Sequence, residues 1–102
     1  MLSKVKLALR LATDVYNPEL LDLIAAGIND LHHAGPSFVH TAVTDNEGNI
    51  TDYVIPDPMA AVAVVTYCRV HFGSPADYDK LKASYDEQKA QMRESFAYGM
   101  EG

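Results

Sequence analysis

The segment DPMAAVAVVTYCRVHFGSP, residues 57–75, reads as one helix and the opening of another. Asp57 offers a side-chain acceptor to the first free backbone amides, and Pro58 has its dihedral preset for the first helical position. From Met59 to Phe72 the residues are apolar on nearly every side, with no polar face at helical spacing. A helix of that kind is buried all round, which makes it the expected central rod of the domain, about 16 residues and roughly 24 Å long. Gly73 suits the left-handed residue that ends it. Ser74 then offers a cap, Pro75 a first helical position, and Asp77 a near capping box.

In the helix that follows, Tyr78, Leu81, Tyr85, Gln88, Met92 and Phe96 recur every three or four residues and form one apolar stripe. Asp77 and Lys80, Asp79 and Lys82, and Asp86 and Lys89 are spaced to pair along its flank. The pattern extends for about 22 residues, roughly 33 Å, so the far end is expected to overhang the central rod. Residues 99–102 read as a frayed tail.

Two more helices lie upstream. Ser3 is placed to cap a short one with Val5, Ala8 and Leu9 inward, and Thr13 to Asn17 form a linker. Asn17 as cap, Pro18 and Glu19 open a second, about residues 18–34. Its Leu20, Leu21, Ile24, Ile28 and Leu31 keep helical spacing until Gly35-Pro36. Gly27 within it weakens the helix by about 1 kcal/mol relative to Ala and marks a close helix approach. Between residues 37 and 56 the character changes. Val39 to Thr44 and Asn49 to Ile55 are rich in β-branched residues and flank the turn-prone Asp45-Asn46-Glu47-Gly48. The expected fold is mainly α: a small four-helix domain with a β-hairpin or extended loop between helices two and three, one domain over residues 1–102.

Composition narrows the function. Of 102 residues 48% are hydrophobic and 22% charged, an ordinary globular balance. No run of about 18 apolar residues is available to span a bilayer, and Lys6 and Arg10 interrupt what would be a signal core. The net charge of −6 is unevenly placed: residues 1–11 hold Lys4, Lys6 and Arg10 without an acid, so the remainder carries −9. That body repels phosphate, which disfavours specific nucleic-acid binding. The single Cys68 lies in an apolar stretch and reads as a buried, inert thiol.

Motifs for chemistry are missing. His32 and His33 are adjacent and point about 100° apart on a helix, and no His pair has the i, i+4 spacing of a metal site. His71 falls at a helix end, where the dipole favours a cation. His40 has no acid at a diagnostic spacing, and Asp14 and Asp30 do not amount to a paired-acid site. Neither a Gly-rich phosphate loop nor a GxSxG elbow occurs. No catalytic residue, cofactor or metal is expected. Tyr78 and Tyr85 have two compatible readings: burial against the core, or, with Met92 and Phe96, an intersubunit seam.

Taken in order, VKLALRLATD (5–14), ELLDLIAAGINDLHHAG (19–35), DPMAAVAVVTYCRVHFG (57–73) and DYDKLKASYDEQKAQM (77–92) resemble the small head–tail connector, or head-completion, proteins of long-tailed bacteriophages and prophages. The resemblance implies a non-enzymatic virion protein without a cofactor, made in the host cytoplasm. It also implies a ring, typically of twelve copies, beneath the portal, through which DNA passes and on which a stopper or tail-completion protein docks. The candidate assembly surface is then His40 and Tyr53 from the hairpin region with Tyr78, Tyr85, Met92 and Phe96 from the last helix. Deleting residues 40–55 is expected to leave a folded monomer that does not assemble. The rival reading is a small helical regulator or adaptor of a mobile element that binds a host protein.

Overall fold

The computed structural model describes the chain except residues 36–37, 74 and 102, and describes residues 95–101 by their backbone alone. In chain order the elements are α1 (Leu2–Leu9), α2 (Asn17–His33), β1 (Thr41–Thr44), β2 (Ile50–Val54), α3 (Pro58–His71) and α4 (Tyr78–Glu101). The fold is mainly α, four helices with a two-stranded antiparallel hairpin between the second and third, as expected.

Helix α3 is the centre of the domain, packed against α1, α2 and α4. Its start follows the sequence logic: the Asp57 carboxylate accepts from the Ala60 amide at 2.9 Å. Gly73, at φ 66°, is left-handed just past its end. Its 14 residues make a rod of about 21 Å. Burial all round is not what the structure shows. Ala60, Ala63, Val64, Cys68 and Val70 are inside, but Val62 is 55% exposed and Met59 38%. Three neighbouring helices cover only part of a central rod, and apolar periodicity does not report how many neighbours a helix has.

The core joins Val5 of α1, Leu20, Ile24, Ile28 and Leu31 of α2, the α3 residues, and Leu81, Tyr85 and Met92 of α4. Gly27 lies on the α2 face that meets α3; a Cβ there would stand 3.0 Å from Cδ1 of Tyr67. The close approach expected at that glycine is therefore present, and its partner is an aromatic ring.

Three helix starts differ from the sequence reading. Helix α1 begins at Leu2 rather than after a Ser3 cap. Its Leu2 amide is taken instead by the Asp52 carboxylate at 2.9 Å, fifty residues away. In α2, Asn17 is the first helical residue and Tyr16 the cap, with no side-chain cap bond. The Asn17 amide closes a turn on the Asp14 carbonyl at 3.1 Å. Helix α4 begins at Tyr78, after a turn at Ala76 and Asp77, so Pro75 is not in its first turn. The Ser74 cap lies outside the described residues. On α4, Lys82 pairs with Asp86 at 3.1 Å in place of Asp79, and Lys89 with Asp30 at 3.4 Å, with Asp86 at 4.0 Å.

The end of α1 holds a feature that the sequence reading missed. Arg10 adopts φ 58°, ψ 41°, a left-handed cap more usually filled by glycine. Its amide and that of Leu11 close on the carbonyls of Leu7 and Lys6.

The hairpin pairs Thr41 with Val54, Ala42 with Tyr53, Val43 with Asp52 and Thr44 with Ile50, which leaves Thr51 as a bulge. Its turn is held by Asp45, whose carboxylate accepts from the amides of Glu47 and Asn49, both at 2.9 Å, while Gly48 takes φ 86°. Phe38 before it and Ile55 after it are buried in the core, and β1 is exposed along its whole length. Two strands are marginal alone; here the base is anchored and the tip extends into solvent. The whole body measures 42 × 38 × 18 Å.

Candidate assembly surfaces

The six residues singled out from the sequence fall into three environments. Tyr85 and Met92 are inside the chain, at 3% and 0% exposure. Tyr78 is 43% exposed at the start of α4, and His40 is exposed at the foot of β1. Tyr53 is half-buried. The side chain of Phe96 lies outside the described residues. The stripe on α4 thus turns inward from Leu81 to Met92, and the burial reading accounts for Tyr85.

Tyr85 is also the polar tie between α2 and α4. Its hydroxyl donates to the Asp30 carboxylate at 2.6 Å, and Lys89 reaches the same oxygen at 3.4 Å while lying 4.9 Å from the Tyr85 ring centre. Burial and the adjacent carboxylate push the Tyr85 hydroxyl well above its ordinary range. Burial pushes Asp30 upward too, but the Tyr85 hydroxyl and Lys89 outweigh it and hold the carboxyl below its usual value. At the end of the same seam Arg93 Nε donates to the Ala34 carbonyl at 2.9 Å. Asp14 is engaged separately, with Lys6, so the two acids do not form a pair. This network holds helices together.

The hairpin is tied to the helices through Asp52. Its carboxylate accepts from the amides of Leu2 and Tyr53, at 2.9 and 2.7 Å, and lies 3.3 Å from the Met1 amine. Burial raises the Asp52 carboxyl, and the Leu2 and Tyr53 amides with the amine more than reverse that. His32 packs at a tilt against Phe38 and His40, with ring centres 4.6 and 5.2 Å away. The two imidazoles, with Asn29 and Tyr53, line a shallow hollow. Two imidazoles without a third ligand do not make a metal centre, and among the described residues no group of three or more His, Cys, Asp or Glu is placed to hold one. Cys68 is fully buried, which pushes its thiol up to about 12 and makes it a poor nucleophile.

A further surface was not legible in the sequence. The open side of α3 forms the floor of two adjoining grooves of about 400 and 320 Å³ that share Pro58 and Val62. One wall is α1, with Leu7 80% exposed, and the other is α4 near Gln88 and Gln91. Lys4 and Arg69 line the first groove, and among the described residues neither is in an ion pair. Contiguous exposed apolar surface of this kind marks an interaction site. On the hairpin the register puts Val43 and Val54, 39% and 49% exposed, on one face, and Ile50, 44% exposed, on the other with Ala42 and Tyr53.

Among the described residues no helix is long and apolar enough to cross a membrane. No curated protein and no solved structure matches the chain. A family model described as phage connector protein matches residues 1–99, nearly the whole chain. That family is structural rather than enzymatic, in keeping with surfaces built for contact and polar networks spent on holding helices together. The chain belongs to the phage connector protein family and has the role of a structural connector.

Proposed function

We propose that the protein assembles into a ring, dodecameric in the virion, that sits beneath the portal at the head–tail interface. Viral DNA passes through the ring without specific binding, and the stopper or tail-completion protein docks on the face away from the portal. The chain needs no cofactor and has no catalytic site; it is made in the host cytoplasm and does not enter a membrane. The observation that carries this reading is the hairpin: an anchored arm, exposed along β1, that presents valine and isoleucine side chains to solvent in a member of a connector family.

His40, Tyr53 and Tyr78 are the contact residues we assign from the exposed or half-buried set, with Phe96 beyond Met92 on α4. Tyr85 and Met92 support that surface from inside by fixing α4 on the core. Charge agrees with a passive lumen. A chain of net −6, +3 over residues 1–11 and −9 over the remainder, has a body that repels phosphate.

The test is a shortened arm. Deleting all of 40–55 removes Ile55 from the core and Asp52 from the start of α1, so misfolding would confuse the result. Replacing Thr44–Thr51 by Asn-Gly closes a two-residue turn on the Val43–Asp52 pair and keeps both anchors. The expected product has unchanged helical circular dichroism and no longer forms rings alone or on its portal. Normal rings from this variant would refute the assignment.

A further inference from the structure

We propose that the groove over α3 in one copy receives the β-hairpin of the next copy. The inference rests on the ring reading above and adds to it the two surfaces that meet.

The groove is apolar at its floor and basic at its edge. Val62, Met59 and Leu7 are exposed there, with Lys4 and Arg69 alongside. The hairpin is its chemical complement. Val43 and Val54 are exposed on one face of it, Asp45 and Glu47 stand at its tip, and residues 38–57 contain no Lys or Arg. In a protein of net charge −6, the segment with three basic residues and no acid is the one that supplies the groove's α1 wall.

Dimensions agree. From Pro58 to Arg69 the groove follows α3 for about 16 Å at the helical rise. Strands of 4 and 5 residues extend about 13–16 Å. Within its own chain the hairpin packs on α2 and is tied to the first residues of α1, and among the described residues nothing fills the groove, so each copy offers a donor surface and an acceptor. Two different surfaces that fit one another give a head-to-tail contact, which closes into a ring when the rotation per copy permits. Docking would also cover the outer edge of a hairpin whose backbone groups otherwise face solvent.

Disulfide trapping between two variants tests the contact. Val62→Cys in one preparation and Val43→Cys in another are mixed under oxidising conditions at millimolar protein, with and without the portal. Cys68 remains in both because it is fully buried. The expected result is an intermolecular cross-link at least tenfold more abundant than when Val43→Cys is replaced by Thr13→Cys, an exposed position on the α1–α2 link. Lys4→Glu with Arg69→Glu on the groove partner lowers the yield at least tenfold. Asn46→Lys with Glu47→Lys on the hairpin partner restores it, and leaves Asp45 to hold the turn. Oligomers that form without this cross-link and ignore the charge reversals would overturn the docking while leaving the ring proposal standing. Absence of any oligomer, with or without the portal, would sink both.

Discussion

Gly27→Ala sets two effects of opposite sign against each other. In a helix interior alanine is favoured over glycine by about 1 kcal/mol. At this position, however, the new Cβ would lie 3.0 Å from Cδ1, 3.2 Å from Cγ and 3.4 Å from Cβ of Tyr67, against an ordinary carbon contact of about 3.5–4.0 Å. The atoms in the way are the root of the ring and not a loose side-chain end. The ring is also held, with His71 at 4.2 Å on one side and Tyr85 at 5.5 Å, edge-on, on another. Tyr85 in turn is fixed by Asp30. Overpacking of this kind costs about 1–3 kcal/mol. With about 2 kcal/mol of crowding and about 1 kcal/mol of propensity gained, the variant is expected to lose about 1 kcal/mol, or about 4–6 °C in Tm for a domain of this size. Urea unfolding followed at 222 nm measures it. Removing the ring is the control: in a Tyr67→Ala background the same Gly27→Ala change gains about 1 kcal/mol, a coupling of about 2 kcal/mol between the two sites. A stabilised Gly27→Ala protein with Tyr67 intact would show that the ring yields freely and that the glycine is not there for packing.

Three further expectations concern the caps and the carboxylates. Arg10→Gly relieves a left-handed residue that carries a Cβ and is expected to raise stability by about 1 kcal/mol in a thermal melt. Asp57→Ala removes the acceptor of the Ala60 amide and is expected to cost about 1 kcal/mol in the same assay. Lys6 lowers the Asp14 carboxyl and the Asn49 amide that of Asp45; for Asp30 and Asp52 the opposing effect of burial is outweighed by hydrogen bonds and nearby cations. Because these folded values lie below the ordinary 3.8, the unfolded chain takes up protons first as pH falls. Their contribution is complete above about pH 5 and is lost as pH drops through about 4 and below. Urea midpoints between pH 6 and 3 follow that loss, and Asp52→Asn is expected to flatten it.

What the sequence revealed was mostly what is local. The Asp57 cap, the left-handed Gly73 and the Asp45–Gly48 turn each depend on residues within four positions of one another, and each is present. The start of α1 is set by Asp52, fifty residues away, so a nearby serine was a misleading signal. Asn17 is a good cap by type, yet the turn closed on Asp14 makes it the first helical residue. The α4 stripe was legible as a stripe, but which of its members face the core depends on where α3 ends and how α4 crosses it. Hence Tyr85 is inside and Tyr78, two turns earlier, is at the surface. The groove over α3 was hidden for a related reason. An apolar side chain in a central helix looks the same in sequence whether a neighbour covers it or a second copy is needed to do so.

The central claim is that this is a connector that assembles on a portal. Electron microscopy of the protein mixed with its own portal tests that directly. The expected result is a closed ring of added density on one face of the portal, with one copy of this chain per repeat of the ring. Bare portals at saturating protein, with the chain remaining a separate monomer, would contradict it.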